Sequence, residues 1–240
     1  MDMTKLSNPM RKILPLKKCG AVIVAAGSAS RMGGIDKVMA ELKGQPMIRR
    51  TVETFQNCDC ITEIVIVTRQ DLILPITGLC SGFPKVKAVV AGGSSRQESV
   101  HLGLNALSRD MKLAAIHDGA RPLVSWQLID RVVRAAHSYH AAAPAIPVKD
   151  TIKVQKANLV VSTPDRDSLR AIQTPQVFDF DLIRGALKKA KEDKAQVTDD
   201  CSAVENMGMS VKLVEGEETN LKVTTPMDLK IAEMILEGTL

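Results

Sequence analysis

The sequence predicts an α/β domain, a Rossmann-like three-layer fold on a mostly parallel sheet. Three observations predict it. Short β-branched runs alternate with stretches of helical period, the order that builds a parallel sheet covered on both faces. The chain has 240 residues with 45% apolar content, enough for one substantial core. Aromatics are only 2%, so that core is aliphatic.

The elements follow in order. Residues 21–26 (AVIVAA) read as a buried strand that stops at Gly27. Pro46 opens a helix through about Asn57, because proline suits the first helical position. Residues 64–68 and 86–91 are a second and a third strand, the latter ended by Gly92-Gly93. A helix over 95–107 puts Val100, Leu104 and Leu107 on one side, and 113–117 is a fourth strand. A helix over 125–139 carries Leu128, Ile129, Val132, Val133 and Ala136 at core spacing, and 143–148 is a fifth strand. The pattern then breaks into a polar stretch around a short strand at 159–162. This reads as a projecting β-hairpin arm over about 149–173. A lone hairpin is marginal in water, so the arm is expected to pack on a second subunit, giving a homodimer. Helices at 180–191 and near 199–206 and a strand at 210–214 come next. Thr225-Pro226-Met227-Asp228 opens the last helix with a capping box and a first-turn proline. One domain is expected over 20–240, behind a flexible tail of residues 1–19.

Charge and composition narrow the function. Five basic groups against Asp2 place +4 of the net +5 in residues 1–19, which leaves +1 for 20–240. The body is thus near neutral, and its cations must act locally. Few aromatics disfavour a reader of stacked bases, so no nucleic-acid partner is expected. No run approaches the ~18–20 apolar residues of a membrane helix, and the N-terminus lacks a signal-peptide apolar block. A cytoplasmic protein without a membrane partner is therefore expected. Cys19, Cys58, Cys60, Cys80 and Cys201 show no zinc-like spacing and read as reduced, mostly buried thiols.

Ligands in such sheets bind beyond the carboxyl ends of the strands, so the loops after Ala26, Ala91 and His117 are the places to look. The first of these runs from Gly27 to Lys37. Its small residues expose backbone N–H groups that can wrap phosphates. It has neither the Lys-Ser/Thr pair of a P-loop nor the spacing of a dinucleotide fingerprint. It adds Arg31 and Lys37, six positions apart. Fixed cations of this kind suit phosphates that react, since charge accumulates on the attacked phosphorus and the leaving pyrophosphate. From the residues alone, the same loop also reads as a Gly/Ser-rich surface loop with two solvated basic side chains.

Seven further segments accompany that loop in sequence order. They are Gly92-Gly93, Arg96-Gln97-Glu98-Ser99-Val100, His117-Asp118-Gly119-Ala120-Arg121-Pro122, Asp150-Thr151-Ile152-Lys153, Thr174-Pro175-Gln176, Thr198-Asp199-Asp200 and Asn220-Leu221-Lys222-Val223-Thr224. Together they resemble the sugar-phosphate nucleotidyltransferases, and within them the 2-C-methyl-D-erythritol 4-phosphate cytidylyltransferase family, over roughly residues 20–237.

The resemblance implies transfer of CMP from CTP to that polyol phosphate, in the non-mevalonate route to isoprenoid precursors. It makes Arg31, Lys37, Arg166 and Lys222 the catalytic cations. It assigns nucleotide contacts to Ala25, Ala26, Gly27, Gly93, Ser94 and Ser99. Asp118, Gly119, Arg121, Thr151, Arg166, Thr174 and Thr198 are implied around the acceptor, with Asp118 also holding Mg²⁺. It further implies that the arm of one subunit brings Thr151 and Arg166 to its partner's acceptor site. Ser94 departs from the family, where an aspartate is common. The competing readings are ribitol 5-phosphate cytidylyltransferase, with the same chemistry, another nucleotidyltransferase using UTP or GTP, and a non-catalytic nucleotide-binding relative. His117 reads as a packed strand-end residue rather than a general base.

Overall fold

A computed structural model describes residues 16–27 and 36–239. Strand β1 (Cys19–Ala25) is covered on both faces and pairs in parallel with β4 and β6, so it sits at the middle of the sheet. The small hairpin β2 (Glu41–Leu42) and β3 (Gln45–Pro46) leads into α1 (Met47–Gln56), with Pro46 at the N-cap. Then come β4 (Ile61–Thr68), α2 (Ile73–Leu79) and β5 (Val86–Ala91). Helix α3 (Arg96–Ala106) follows, with β6 (Leu113–Asp118), α4 (Trp126–Tyr139) and β7 (Ala141–Pro147) after it. The arm carries β8 (Val154–Lys156) and β9 (Leu159–Ser162). The chain closes with β10 (Arg170–Ile172), β11 (Gln176–Asp179), α5 (Phe180–Glu192), α6 (Asp200–Glu205), β12 (Lys212–Glu215) and α7 (Pro226–Glu237).

The main sheet has eight strands in the order β10-β7-β11-β6-β1-β4-β5, with β12 pairing β7. Parallel pairs join β1, β4, β5 and β6, and also β12 with β7; β10 and β11 run antiparallel to their neighbours. Alternation along β1 feeds two cores, as a strand's period of two requires. Ala21, Ile23 and Ala25 pack with Val52, Phe55, Leu128 and Val132 of α1 and α4. Val22 packs on the other face with Val100, Leu104, Ile183 and Leu187 of α3 and α5. Helix starts follow the sequence: the Ser95 and Ser125 hydroxyls accept the backbone N–H three residues on, and Thr225 with Asp228 forms the expected box ahead of Pro226. All five cysteines are free thiols, four of them buried.

Three boundaries differ from expectation. β10 and β11 were not foreseen. Both pair with β7, so the arm ends before Arg170 rather than at 173. Four residues are too few to show a period, and Thr174-Pro175 just before β11 reads as a break. α2 was missed because Pro75 and Gly78 lie inside it; the proline falls in the first turn, where its missing N–H costs little. Within the expected tail, Lys18 O accepts from Lys112 N at 2.9 Å and Leu113 N at 3.0 Å, so residues 17–19 already belong to the domain.

The arm pairs with itself. β8 and β9 form a separate two-stranded sheet, joined through Ala157 and Asn158, both at positive φ (50° and 63°), as a tight two-residue hairpin requires. Leu159 is 73% exposed, and Val160 and Val161 are exposed beside it.

Candidate active site

The carboxyl ends of β1, β5 and β6 open onto a cleft of about 350 Å³. β1 contributes Ala25, Ala26 and Gly27. A 3₁₀ turn contributes Lys37; Asp36 caps that turn by accepting from Val38 N at 3.1 Å and is itself held by Arg69. The loop after β5 brings Gly93 and Ser94, the start of α3 brings Arg96 and Ser99, and β6 ends on Asp118. Lys222 comes from the stretch between β12 and α7.

Asp118 is the electrostatic centre. It is 8% exposed, bonds Lys222 Nζ at 2.7 Å and faces Arg96 Nε at 3.5 Å. Burial alone would raise its pKa, but the Arg96 and Lys222 charges outweigh burial and bring it down to about 2. Arg96 reaches back to Asp200 at 2.7 Å, a fully buried carboxyl that burial pushes up while Arg96 pulls it down. Gln176 holds this corner from beneath: its Oε1 accepts from Asp200 N and Cys201 N at 3.1 Å each, and its Nε2 donates to Asp199 at 2.8 Å.

A second layer fixes the loop after β6. Asp118 N donates to Thr174 Oγ1 at 3.1 Å, and Thr174 Oγ1 lies 3.0 Å from His117 Nδ1. His117 Nε2 lies 3.2 Å from the Arg121 carbonyl, which can only accept. Nε2 therefore carries the proton, and Thr174 donates its hydroxyl to Nδ1. Burial brings the His117 pKa down to about 4, so the ring is neutral and serves as packing and wiring. Asn220 Nδ2 donates to Thr174 O at 2.9 Å, and Arg121 Nη1 donates to Asn220 O at 2.6 Å. This ties the Asp118 loop to the segment bearing Lys222.

Nine of the residues singled out in the sequence thus line one cleft: Ala25, Ala26, Gly27, Lys37, Gly93, Ser94, Ser99, Asp118 and Lys222. Gly119 does not line the cleft; its N–H donates to Val24 O at 2.9 Å. Arg121 and Thr174 stand behind Asp118 rather than in the cleft. Exposed Thr198 borders a small adjoining depression with Arg96 and Asp199. Thr151 and Arg166 are on the arm, exposed, and line no part of this chain's own cleft; Arg166 Nη1 donates to Lys149 O at 3.1 Å. Arg31 lies outside the described residues. Sequence reasoning gave no role to Arg96, Asp200, Gln176 or Asn220. All four sat inside quoted motifs, but only their partners in the fold show their work, Arg96 between two carboxylates above all.

Among the described residues Asp118 is the one carboxylate lining the cleft, and no group of three or more His, Cys, Asp or Glu side chains could hold a metal ion. That donor set fits a magnesium ion bound chiefly by phosphate oxygens and water, with a single protein carboxylate.

Cations from separate segments around one buried carboxylate, at the ends of parallel strands beside small-residue loops, define a nucleotidyltransferase. A family model described as "IspD: 2-C-methyl-D-erythritol 4-phosphate cytidylyltransferase" matches residues 19–238. The chain belongs to that family. A relative of that name from Alkaliphilus oremlandii is 40% identical over 92% of this chain and 96% of its own. Another from Caldanaerobacter subterraneus is 44% identical over 90% and 97%. Among solved structures, 4-diphosphocytidyl-2C-methyl-D-erythritol synthase from Anaerococcus prevotii superposes with a TM-score of 0.84 at 33% identity, covering 92% of this chain and 96% of that one. The cytidylyltransferase from Thermus thermophilus gives 0.76 at 31% identity, over 90% and 98%.

Proposed function

We propose that this chain transfers CMP from CTP to 2-C-methyl-D-erythritol 4-phosphate, releasing pyrophosphate, in the non-mevalonate supply of isoprenoid precursors. The observation that carries the reading is the meeting of Lys37, Arg96 and Lys222 with Asp118 on one cleft. A phosphate oxygen of the acceptor attacks the α-phosphorus in line. The new P–O bond forms as the bond to the β-phosphate oxygen breaks, and pyrophosphate leaves with the electron pair. The nucleophile is already an anion at neutral pH, so no strong base is needed, in keeping with a His117 that is buried and neutral.

The chain's own task is positioning and charge neutralisation. Lys37, with Arg31, meets the triphosphate. The loop after β5, through Gly93, Ser94 and Ser99, holds the base. Lys222 orients the acceptor phosphate; its bond to Asp118 keeps the ammonium aimed across the cleft. Asp118 is the residue that would hold Mg²⁺, whose charge would further neutralise the triphosphate. Thr151 and Arg166 complete the acceptor pocket of a second copy through the arm, so the working unit is a homodimer. The exposed Leu159, Val160 and Val161 support a partner surface there. The reading includes a cytoplasmic location and no nucleic-acid or membrane partner; no helix among the described residues is long and apolar enough to cross a membrane.

The test is pyrophosphate release from CTP with methylerythritol 4-phosphate and ribitol 5-phosphate in parallel. Turnover with the first and little with the second is expected. A preference for ribitol phosphate, or no release with either, would sink the reading.

A further inference from the structure

Three serines stand where β5 hands over to α3, and their hydroxyl hydrogens are committed differently. Ser94 donates both its backbone N–H, at 2.8 Å, and its hydroxyl, at 2.7 Å, to Glu98 Oε2. An ionised carboxylate only accepts, so the direction of both bonds is fixed by chemistry. The same bonds lower the Glu98 pKa, which keeps it ionised at neutral pH. Ser99 donates its hydroxyl to the Ser95 carbonyl at 2.9 Å and receives the Gly93 N–H at 3.1 Å. Its hydrogen is spent as well. Ser95 differs: its oxygen accepts the Glu98 N–H at 3.1 Å as the helix cap, and its hydrogen is left to turn.

Ser94, Ser95 and Ser99 all line the cleft; with their hydrogens spent, Ser94 and Ser99 offer it lone pairs, and only Ser95 can still donate. Glu98 itself is not among the lining residues. It folds across Gly93 so closely that a Cβ there would overlap its Cγ and its carboxyl group. The glycine is what lets the carboxylate reach the loop.

We propose that Glu98 is a specificity-determining positioning residue. By holding the Ser94 hydroxyl as an acceptor toward the cleft, it makes the loop select a base edge that donates a hydrogen bond over one that accepts. Cytosine carries an amine where uracil carries a carbonyl. The amine can donate to a waiting lone pair. The carbonyl would set two acceptors face to face and leave both unsatisfied, which costs far more than a lost contact. The inference rests on the reading that this loop holds the base.

The experiment measures kcat/KM for CTP and for UTP, by pyrophosphate release, in the wild type, Glu98→Leu, Glu98→Gln, Ser94→Ala and Ser99→Ala. Leucine removes both acceptor oxygens and frees the serine hydrogen for the cleft. Glu98→Leu is expected to lower the CTP:UTP ratio by roughly tenfold, chiefly through KM. Glu98→Gln can place its amide oxygen where Oε2 accepts both the Ser94 N–H and its hydroxyl, so it is expected to keep the ratio near wild type, and thermal melts check that every variant folds. A wild-type enzyme that turns over both nucleotides equally would overturn the inference. So would a Glu98→Leu enzyme whose kcat falls alike for both with the ratio intact, or one unchanged while Ser94→Ala loses preference. If neither Ser94→Ala nor Ser99→Ala moves KM or the ratio, the failure lies in the base-binding reading itself.

Discussion

The cleft and the arm are built by opposite rules. In the cleft nearly every polar group has an internal partner: Asp118 alone touches Lys222, Arg96 and Thr174, and of these Arg96 is anchored by Asp200 and Thr174 by Asn220. On the arm, β8 and β9 pair only with each other and turn Leu159, Val160 and Val161 to solvent. A preorganised cluster can stabilise charge without rearranging at the moment of reaction. A self-paired, solvent-facing hairpin cannot do that alone. On the proposed reading, one chain builds the nucleotide half of the site, while the acceptor half is assembled between copies.

The sharpest break of the cleft side is removal of its cations. Lys37→Ala or Lys222→Ala is expected to cut turnover by about 10²–10³-fold while the thermal midpoint stays within a few degrees. Near-normal turnover in a folded Lys222→Ala enzyme would show that its bond to Asp118 is merely structural.

The arm side is broken by complementation. Arg166→Ala is expected to lower turnover by roughly 10–100-fold, since it misplaces the acceptor rather than removing charge at the reacting phosphorus. Mixing it with an inactive Lys37→Ala protein is expected to restore activity, because half of the sites in a mixed dimer then pair an intact cleft with an intact arm. Mixtures no more active than the sum of their parts would return Arg166 to its own chain's site or to the solvent.

The same contrast explains what was legible in sequence. The β1, β4 and β6 strands announce themselves because burial on both faces forces continuous apolar runs, and α3 and α4 because each starts on a capping serine; α2, between β4 and β5, has no such cap. β11 is four residues long and its partners are distant in sequence, so nothing local marks it. The loops bearing Lys37, Asp118 and Lys222 were found through their motifs. The roles of Arg96, Asp200 and Gln176 were not, because a buried ion pair between residues 104 apart leaves no local pattern. The arm showed its polarity and its short strand at 159–162, but a strand returning to the main sheet at Arg170 depends on a register with β7 that composition does not encode.

His117 offers a smaller effect that separates wiring from chemistry. Its pKa falls from 6.5 to about 4 through burial. Between those values the unfolded chain binds the proton that the folded ring refuses. The contribution to stability is therefore complete above about pH 6.5 and is lost as pH falls toward 4, amounting to about 3 kcal/mol at the acid end. Urea unfolding at pH 7 and pH 4.5 is expected to show a larger acid loss in the wild type than in His117→Gln. Equal losses would mean that the ring is not held neutral.

The smallest effect belongs to the N-terminal segment. Removing residues 1–15 is expected to leave kcat and KM for both substrates unchanged, since the described segments that line the cleft begin at Val24. Extending the deletion through Lys18 should still spare the chemistry but cost stability. Lys17 Nζ bonds Asp179 at 2.9 Å, and the Lys18 carbonyl accepts two backbone N–H groups beside the start of β6. The ion pair is part-exposed and contributes little, so most of the loss comes from the two amides left without that carbonyl, about 1–2 kcal/mol in all and a few degrees in Tm. A fall in turnover on removing 1–15, with the melt unchanged, would instead give the basic segment a part in gathering anionic substrates, which high salt should then abolish.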